Sequence, residues 1–248
     1  MINKHKYHIR VLLATLAGSA TCLSLFILWN FQLIKIPPPL VHYFRLIDHR
    51  LNPVFYSASQ LDLLFHRQEH SLSCEAAALK MVLNFHNVSV SEADIIAKLP
   101  FDSTPRSADI WGDPDLGFVG NIDGKMGLDG YGVYWGPLAI TASYWKQAKI
   151  IKNGLASDLV GYISEGRPVI IWGYLGRGRP INWTTLNGKK VYAINGEHTF
   201  VVYGYDGSAD DPEGFLLMDP IYGPTYWTKT KLLRNWDAFG RMGLVVYP

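Results

Sequence analysis

A cysteine that opens a helix-forming segment is the most restrictive feature of this sequence. The segment Cys74-Glu-Ala-Ala-Ala-Leu begins a run of small and apolar residues that extends to about Phe85, which predicts a mostly buried helix. A helix N-terminus stabilises a thiolate through its dipole and its free N–H groups. Gln68 lies six residues before the cysteine, so its side-chain amide and the Cys74 N–H are suited to bind an oxyanion together. The pattern predicts a nucleophilic thiol.

The cysteine count and the charge balance exclude several classes of protein. Cys22 is the only other cysteine among the 248 residues, and it lies in an apolar N-terminal stretch. One thiol in the body of the chain can form neither an intrachain disulfide nor a cysteine-based zinc site. The formal net charge is +2, but residues 1–36 carry four basic and no acidic side chains. The remaining chain is therefore slightly acidic, and we expect no nucleic-acid partner.

The N-terminus has the composition of a membrane anchor. Residues 11–34 carry no charge and are numerous enough to cross a bilayer as a tilted helix. The strongest apolar run, residues 23–29, follows the best cleavage site at 17–19, which favours an uncleaved anchor over a cleaved signal peptide. We expect a cytoplasmic tail at 1–10, a single-pass signal anchor at 11–34 and a proline-rich linker at 35–52. The body would then lie outside the cell membrane.

Residues 53–248 are predicted to form one α+β domain, with N-terminal helices packed on a C-terminal antiparallel sheet. Ser91 is expected to cap a second short helix, and residues 100–145 are interpreted as long loops. Asn187-Gly188 predicts a hairpin turn. The later elements, in chain order, are a helix at 155–165, strands at 167–172, 198–205 and 215–218, a helix at 229–235 and a strand at 244–247.

Three side chains are expected to meet where these elements begin or end. Cys74 starts a helix, His198 is predicted to open a strand, and Asp219 to end the adjacent strand. Adjacent antiparallel strands place such residues side by side, so Asp219 is suited to hold the His198 ring. The imidazole would take the thiol proton and later deliver it to a leaving amine. Gln68 would complete the oxyanion site.

This pattern resembles the C39-like peptidases, which have the papain-like cysteine peptidase fold and include the leader-cleaving domains of bacteriocin exporters. The resemblance implies that Cys74 is the nucleophile, His198 the base, Asp219 the orienting group and Gln68 the oxyanion donor. It covers roughly residues 53–248. The matching parts are Gln68 with Cys74, the segment Gly-Glu-His-Thr-Phe-Val-Val-Tyr-Gly-Tyr-Asp at 196–206, Asp219-Pro220 and the closing residues 239–248.

The function expected from these residues is that of a membrane-anchored, extracytoplasmic cysteine peptidase acting on a peptide or protein, without a cofactor or metal. Trp111, Tyr134 and Trp135 are candidates to line a groove for an extended peptide. The expected loops at 100–150 and 177–197 are longer than a minimal leader peptidase needs. An acyl transferase or amidase would use identical machinery, and a cell-surface binding module that leaves the Cys–His pair unused is the main non-enzyme alternative.

A zinc site is a different enzymatic alternative for the same stretch. His66-Arg-Gln-Glu69-His70 matches the H-x-x-E-H signature of one group of metallopeptidases. If a helix began near Ser59, both histidines would share a face and Glu69 would serve as the general base. A continuous helix there conflicts with a loop that brings Gln68 towards Cys74.

Overall fold

Helix α1 forms where the sequence predicts it. The computed structural model describes residues 59–248, and in it α1 extends over Cys74–Phe85. Nine of its twelve residues are buried, because its apolar side chains pack against the sheet and the neighbouring helices. The Ser73 hydroxyl accepts the His70 N–H at 3.1 Å and does not cap the first turn. The N–H groups that begin α1 therefore have no side-chain cap.

Helix α2 (Glu92–Ile96) confirms the predicted capping at Ser91. The Ser91 hydroxyl accepts the Asp94 N–H at 3.1 Å, and the Asp94 carboxylate accepts the Ser91 N–H at 3.1 Å. This reciprocal pair satisfies two N–H groups that a helix start would otherwise leave free. It fixes the position of Glu92, which is fully buried and contacts the segment before α1.

Residues 100–145 contain more regular structure than the predicted loops. Strands β1 (Phe101–Asp102) and β2 (Phe118–Val119) form a two-residue parallel pair. Helix α3 extends over Trp135–Ala142. Two residues are too few to show a strand period, and Gly136-Pro137 at the start of α3 has the appearance of a turn. Pro137 is nevertheless compatible with a first helical turn, whose N–H groups need no partner within the helix.

The main sheet has six antiparallel strands, which are β3 (Ala148–Ile151), β4 (Val169–Thr184), β5 (Lys190–Gly207), β6 (Pro212–Asp219), β7 (Gly223–Thr228) and β8 (Gly243–Val246). Their order across the sheet is β3-β8-β4-β5-β6-β7, which confirms the predicted α+β class. Helix α4 (Ala156–Ser164) ends before Gly166, whose φ of 75° a glycine adopts without strain. Helix α5 (Lys229–Asp237) begins after Thr228, whose hydroxyl caps the helix by accepting the Lys231 N–H.

The β4–β5 hairpin corrects two expectations. The predicted turn at Asn187-Gly188 is present, but residues 177–197 belong mainly to two long strands and not to a loop. Pairing continues past a register shift between Tyr174 and Arg179. His198 therefore lies inside β5, opposite Gly173, whereas the sequence predicted it at the start of a strand.

The core of the sheet fixes the position of β5. One apolar cluster packs α4 and α5 against Phe200, Val202 and Leu217, all of which are buried. Helix α1 also contacts β5. Since helices pack closely around this strand, the backbone that carries His198 has little freedom to move.

The described residues, 59–248, belong to one compact unit. Within residues 59–248, no helix has both the length and the apolar character needed to cross a membrane. The tail, anchor and linker predicted at 1–10, 11–34 and 35–52 lie outside the described residues.

Candidate active site

His198 and Asp219 meet on adjacent strands, β5 and β6. The His198 Nε2 atom lies 2.9 Å from the Asp219 Oδ1 atom, and both side chains are buried. The same oxygen accepts the N–H groups of Ile221 at 2.8 Å and Tyr222 at 3.3 Å. Burial raises the pKa of Asp219, but the hydrogen bonds and the His198 charge outweigh it and hold that pKa below its usual value. Asp219 is therefore held as a carboxylate that orients the imidazole.

The edge of the His198 ring is also fixed by an aromatic neighbour. The ring centroids of His198 and Phe200 lie 4.8 Å apart at an interplanar angle of 83°. With Nε2 directed to Asp219, Nδ1 is the ring nitrogen left for proton exchange with another group.

The Cys74 thiol lies at the start of α1 and points towards acidic groups. Its Sγ donates a hydrogen bond to Glu75 Oε2 at 3.3 Å. Burial raises the pKa of Cys74 well above its ordinary value, and the charges of Glu75 and Glu197 raise it further. Thr199, whose N–H and hydroxyl lie beside the sulfur, lowers it less than these effects raise it. The helix N-terminus was expected to lower the pKa of Cys74. That effect is outweighed because the thiol is buried beside two carboxyl groups.

The Cys74 thiol lies beside β5, the strand that carries His198, with its sulfur within 4.8 Å of a Glu197 carboxyl oxygen. The sulfur lies beside Thr199, which directly follows His198 on β5. Within residues 59–248, its hydrogen bond goes to Glu75 and none joins it to the His198 ring.

Gln68 is held near the same strand end, but its side chain has other partners. Its backbone N–H donates to the Pro220 carbonyl at 3.0 Å, which ties it to the residue after Asp219. Its side-chain Nε2 donates to the carbonyls of His70 at 2.8 Å and Ser71 at 2.9 Å. These bonds shape the turn that leads into α1. Both amide hydrogens are engaged there and not directed at an oxyanion position.

Two buried acids beside the thiol were not among the predicted site residues. Glu75 accepts the Val133 N–H at 2.6 Å, and burial raises its pKa to about 7. Glu197 is 3% exposed, and its pKa is raised well above the usual value by burial and by the charge of Glu75. Each acid is adjacent in sequence to a predicted catalytic residue. A charged residue within an otherwise buried segment is the sequence signal that identifies this pair.

The sequence from residue 59 to residue 244 matches the model of the Peptidase_C39 like family. This chain belongs to that family. It is 26% identical over 209 residues to the uncharacterized protein YvpB of Bacillus subtilis (strain 168), covering 77% of this chain and 76% of YvpB. A Bacillus anthracis protein described as a C39-like peptidase has a crystal structure with a TM-score of 0.66 to this chain. Its identity is 25%, over 75% of this chain and 95% of the other.

In this member of the Peptidase_C39 like family, the three candidate groove residues line two separate depressions. Tyr134 and Trp135 line a groove of about 460 Å³ between the β4–β5 hairpin and residues 238–242. Trp111 is almost fully buried under the Arg106 guanidinium and lines a different depression of about 520 Å³. Neither depression is lined by Cys74, His198 or Asp219, but Tyr134 of the first directly follows Val133, whose N–H binds Glu75.

The H-x-x-E-H segment of this C39-like chain does not form the helix that a zinc site requires. His66 Nε2 lies 2.7 Å from Glu92 Oε2, whereas His70 Nδ1 lies 2.9 Å from Asp123 Oδ1. The two histidines therefore bind different carboxylates. Because a shared helical face is absent, the helical metal-site hypothesis for His66, Glu69 and His70 is wrong.

Proposed function

We propose that this chain is a cysteine peptidase in which Cys74, His198 and Asp219 form the catalytic triad. The observation that carries the proposal is the buried His198–Asp219 pair, joined at 2.9 Å, on the strand that contacts the helix starting at Cys74. A buried carboxylate bound to an imidazole nitrogen sets both the orientation and the tautomer of the ring. Family membership supports the same roles.

The proposed reaction is acyl transfer through a thioester. His198 Nδ1 takes the Cys74 thiol proton, and the sulfur forms a bond to the carbonyl carbon of the peptide. The tetrahedral oxyanion then collapses, the C–N bond breaks, and the leaving nitrogen takes the proton from His198. Water deprotonated by the same ring attacks the thioester, releases the carboxylic acid product and restores the thiol. Asp219 stabilises the imidazolium in both halves of the cycle.

Two side chains must turn before this reaction begins. In the proposed mechanism, the Cys74 thiol has to leave Glu75 and reach the His198 ring. Gln68 releases the carbonyls of His70 and Ser71 and directs its amide, with the Cys74 N–H, at the oxyanion. Substrate that enters the groove lined by Tyr134 and Trp135 would arrive beside Val133 and promote this change.

The site of action is proposed to be the outer face of the cell membrane. Residues 11–34 would anchor the chain, and the domain would act outside on a peptide or protein substrate. The uncharged stretch at 11–34 and the three basic residues before it support this placement. An amine acceptor in place of water would make the same machinery a transpeptidase or an amidase.

A second candidate function is supported by the orientation of the thiol. Cys74 is 4% exposed, and burial raises its pKa, so its sulfur is a poor nucleophile in this arrangement. A surface binding module that retains the fold without turnover would keep the thiol in this state permanently.

The test is hydrolysis of casein and of a mixed fluorogenic peptide library by the full chain and its variants. Cys74→Ala and His198→Ala should each abolish turnover. Cys22→Ala, which removes the other thiol, and His86→Ala, which removes another buried histidine, should retain it. Full activity in Cys74→Ala would refute the thiol mechanism. If folded wild-type protein cleaves nothing but binds peptides, the binding-module hypothesis is correct instead.

A further inference from the structure

A cluster of three ligating groups surrounds the Cys74 sulfur. One oxygen of Glu75, one oxygen of Glu197 and the Cys74 Sγ all lie within 4.8 Å of one another. All three residues are buried, with exposures of 4% for Cys74, 1% for Glu75 and 3% for Glu197. The candidate triad uses the sulfur but neither carboxyl group, so the acid pair has no role in that chemistry.

Glu197 is the unusual member of the cluster. Neither of its carboxyl oxygens has a hydrogen-bond partner among the described residues. Within residues 59–248, no lysine or arginine forms an ion pair with Glu75 or Glu197. A buried carboxylate without a donor or a cation strongly destabilises the folded state. Glu197 therefore needs a positive partner, which can be a proton or a metal ion.

A second cluster in the same chain shows how such a need is met internally. His66, Glu69 and Glu92 also bring three ligating atoms together. There, the Lys80 ammonium lies 3.3 Å from His66 Nε2 and 3.4 Å from Glu69 Oε1. That cluster carries its own cation, so it has little need for a metal. The Cys74 cluster has no equivalent of Lys80 in the described part of the chain.

Gly132 leaves the space beside the two acids open. A Cβ atom at this position would lie 2.5 Å from Glu197 Oε2 and 2.6 Å from Glu75 Oε1. The absence of a side chain there allows both carboxyl groups to approach the same point.

We propose that Cys74, Glu75 and Glu197 form a binding site for a divalent cation of the zinc type. Zn²⁺ takes thiolate and carboxylate ligands in four-coordinate sites, and three protein ligands leave one position for water. On binding, the thiol proton and any proton shared by the acids are released, and the sulfur and two carboxylate oxygens bind the ion. The metal site does not depend on peptidase activity. A metal ion bound to the Cys74 sulfur would also block the nucleophile, and this consequence rests on the proposed function.

The binding test uses Co²⁺ as a spectroscopic probe and Zn²⁺ as its competitor. Full-length protein carrying Cys22→Ser is treated with chelator, dialysed and titrated. We expect a thiolate-to-cobalt absorption band that saturates at one equivalent and is reversed by Zn²⁺. Cys74→Ala should abolish the band, and Glu197→Gln should weaken Co²⁺ binding by at least about tenfold. Glu69→Gln, in the cluster that holds Lys80, should leave the titration unchanged.

Folding of each variant is checked by its thermal unfolding midpoint in chelator, so that loss of the band reports ligation and not unfolding. No band in folded wild-type protein, or an unchanged band in Glu197→Gln, would overturn the proposal. Peptide hydrolysis is measured on the same samples. Inhibition by Zn²⁺ that the chelator reverses supports both proposals. A cobalt band without hydrolysis supports only the metal site, and hydrolysis without a band supports only the peptidase.

Discussion

His198 and Asp219 are joined by a buried hydrogen bond of 2.9 Å between Nε2 and Oδ1. Two backbone N–H groups, from Ile221 and Tyr222, bind the same carboxylate oxygen. The pair therefore remains oriented whether or not the Cys74 thiol faces it. In the proposed mechanism, the fold therefore fixes the base, and the nucleophile is the part that has to move.

Replacing Asp219 by Asn should lower kcat/KM for peptide hydrolysis by about 10²-fold or more. The amide keeps the shape of the carboxylate but removes the charge that stabilises the imidazolium. The measurement is steady-state hydrolysis by the purified full chain. Asp211→Asn, which removes an exposed ion pair with Lys229, is the matched control and should have wild-type activity. Equal activity in the two variants would show that Asp219 is not part of the mechanism.

Alkylation of Cys74 in the resting protein should be slow and should accelerate only at a pH above the ordinary thiol range. The physical reason is that burial and the charges of Glu75 and Glu197 raise the pKa of Cys74. Glu197→Gln removes one of these charges, so the pH profile of iodoacetamide labelling should shift to lower pH. The profile of Glu69→Gln should not move. Fast wild-type labelling near neutral pH that is lost in His198→Ala would contradict this resting state and indicate a preformed thiolate–imidazolium pair.

Local signals predicted α1 and α2 accurately because each depends on residues within one or two turns. The run after Cys74 and the Ser91–Asp94 capping pair need no information from elsewhere in the chain. The hairpin strands were predicted too short for the opposite reason. Gly176, Gly178 and Gly196 adopt positive φ values and indicate a loop, but pairing between the two chain segments carries the strands past them.

Part of the candidate site could be predicted because it depends only on the order of the strands. His198 and Asp219 lie on neighbouring strands, so the order of elements was sufficient to bring them together. The proximity of Glu75 to Glu197 depends on how α1 and the loop at Gly132 pack on β5, which no sequence period encodes. The direction of the Cys74 thiol depends on that packing as well.

The free energy of unfolding should decrease as the pH rises from about 5 to about 8 in the presence of chelator. Burial raises the pKa of Glu75 from 4.5 to about 7, so the folded state binds a proton that the unfolded state has released. The stability that this proton contributes is complete below the unfolded pKa and is lost as the pH passes through the folded value. We expect this decrease in the free energy of unfolding to be on the order of 1–3 kcal/mol and to be absent in Glu75→Gln.

Urea unfolding at a series of pH values measures this effect. The control is Glu165→Gln, an exposed acid paired with Arg167, which should retain the wild-type slope. A wild-type stability that increases over this range, or an unchanged slope in Glu75→Gln, would show that the acid pair is not protonated in the folded state.

Gly132→Ala should destabilise the protein by about 2 kcal/mol or more and weaken metal binding without changing any ligand. The added methyl group would overlap the carboxyl oxygens of Glu197 and Glu75, at 2.5 and 2.6 Å. It would also displace the neighbouring Val133 N–H, which binds Glu75. Gly161→Ala in α4 is the matched control, because a Cβ there meets nothing within 4 Å. It should be neutral or stabilise the helix by up to about 1 kcal/mol. Equal unfolding midpoints in the two variants would mean that the acids do not converge at Gly132, and the site built on their proximity would lose its support.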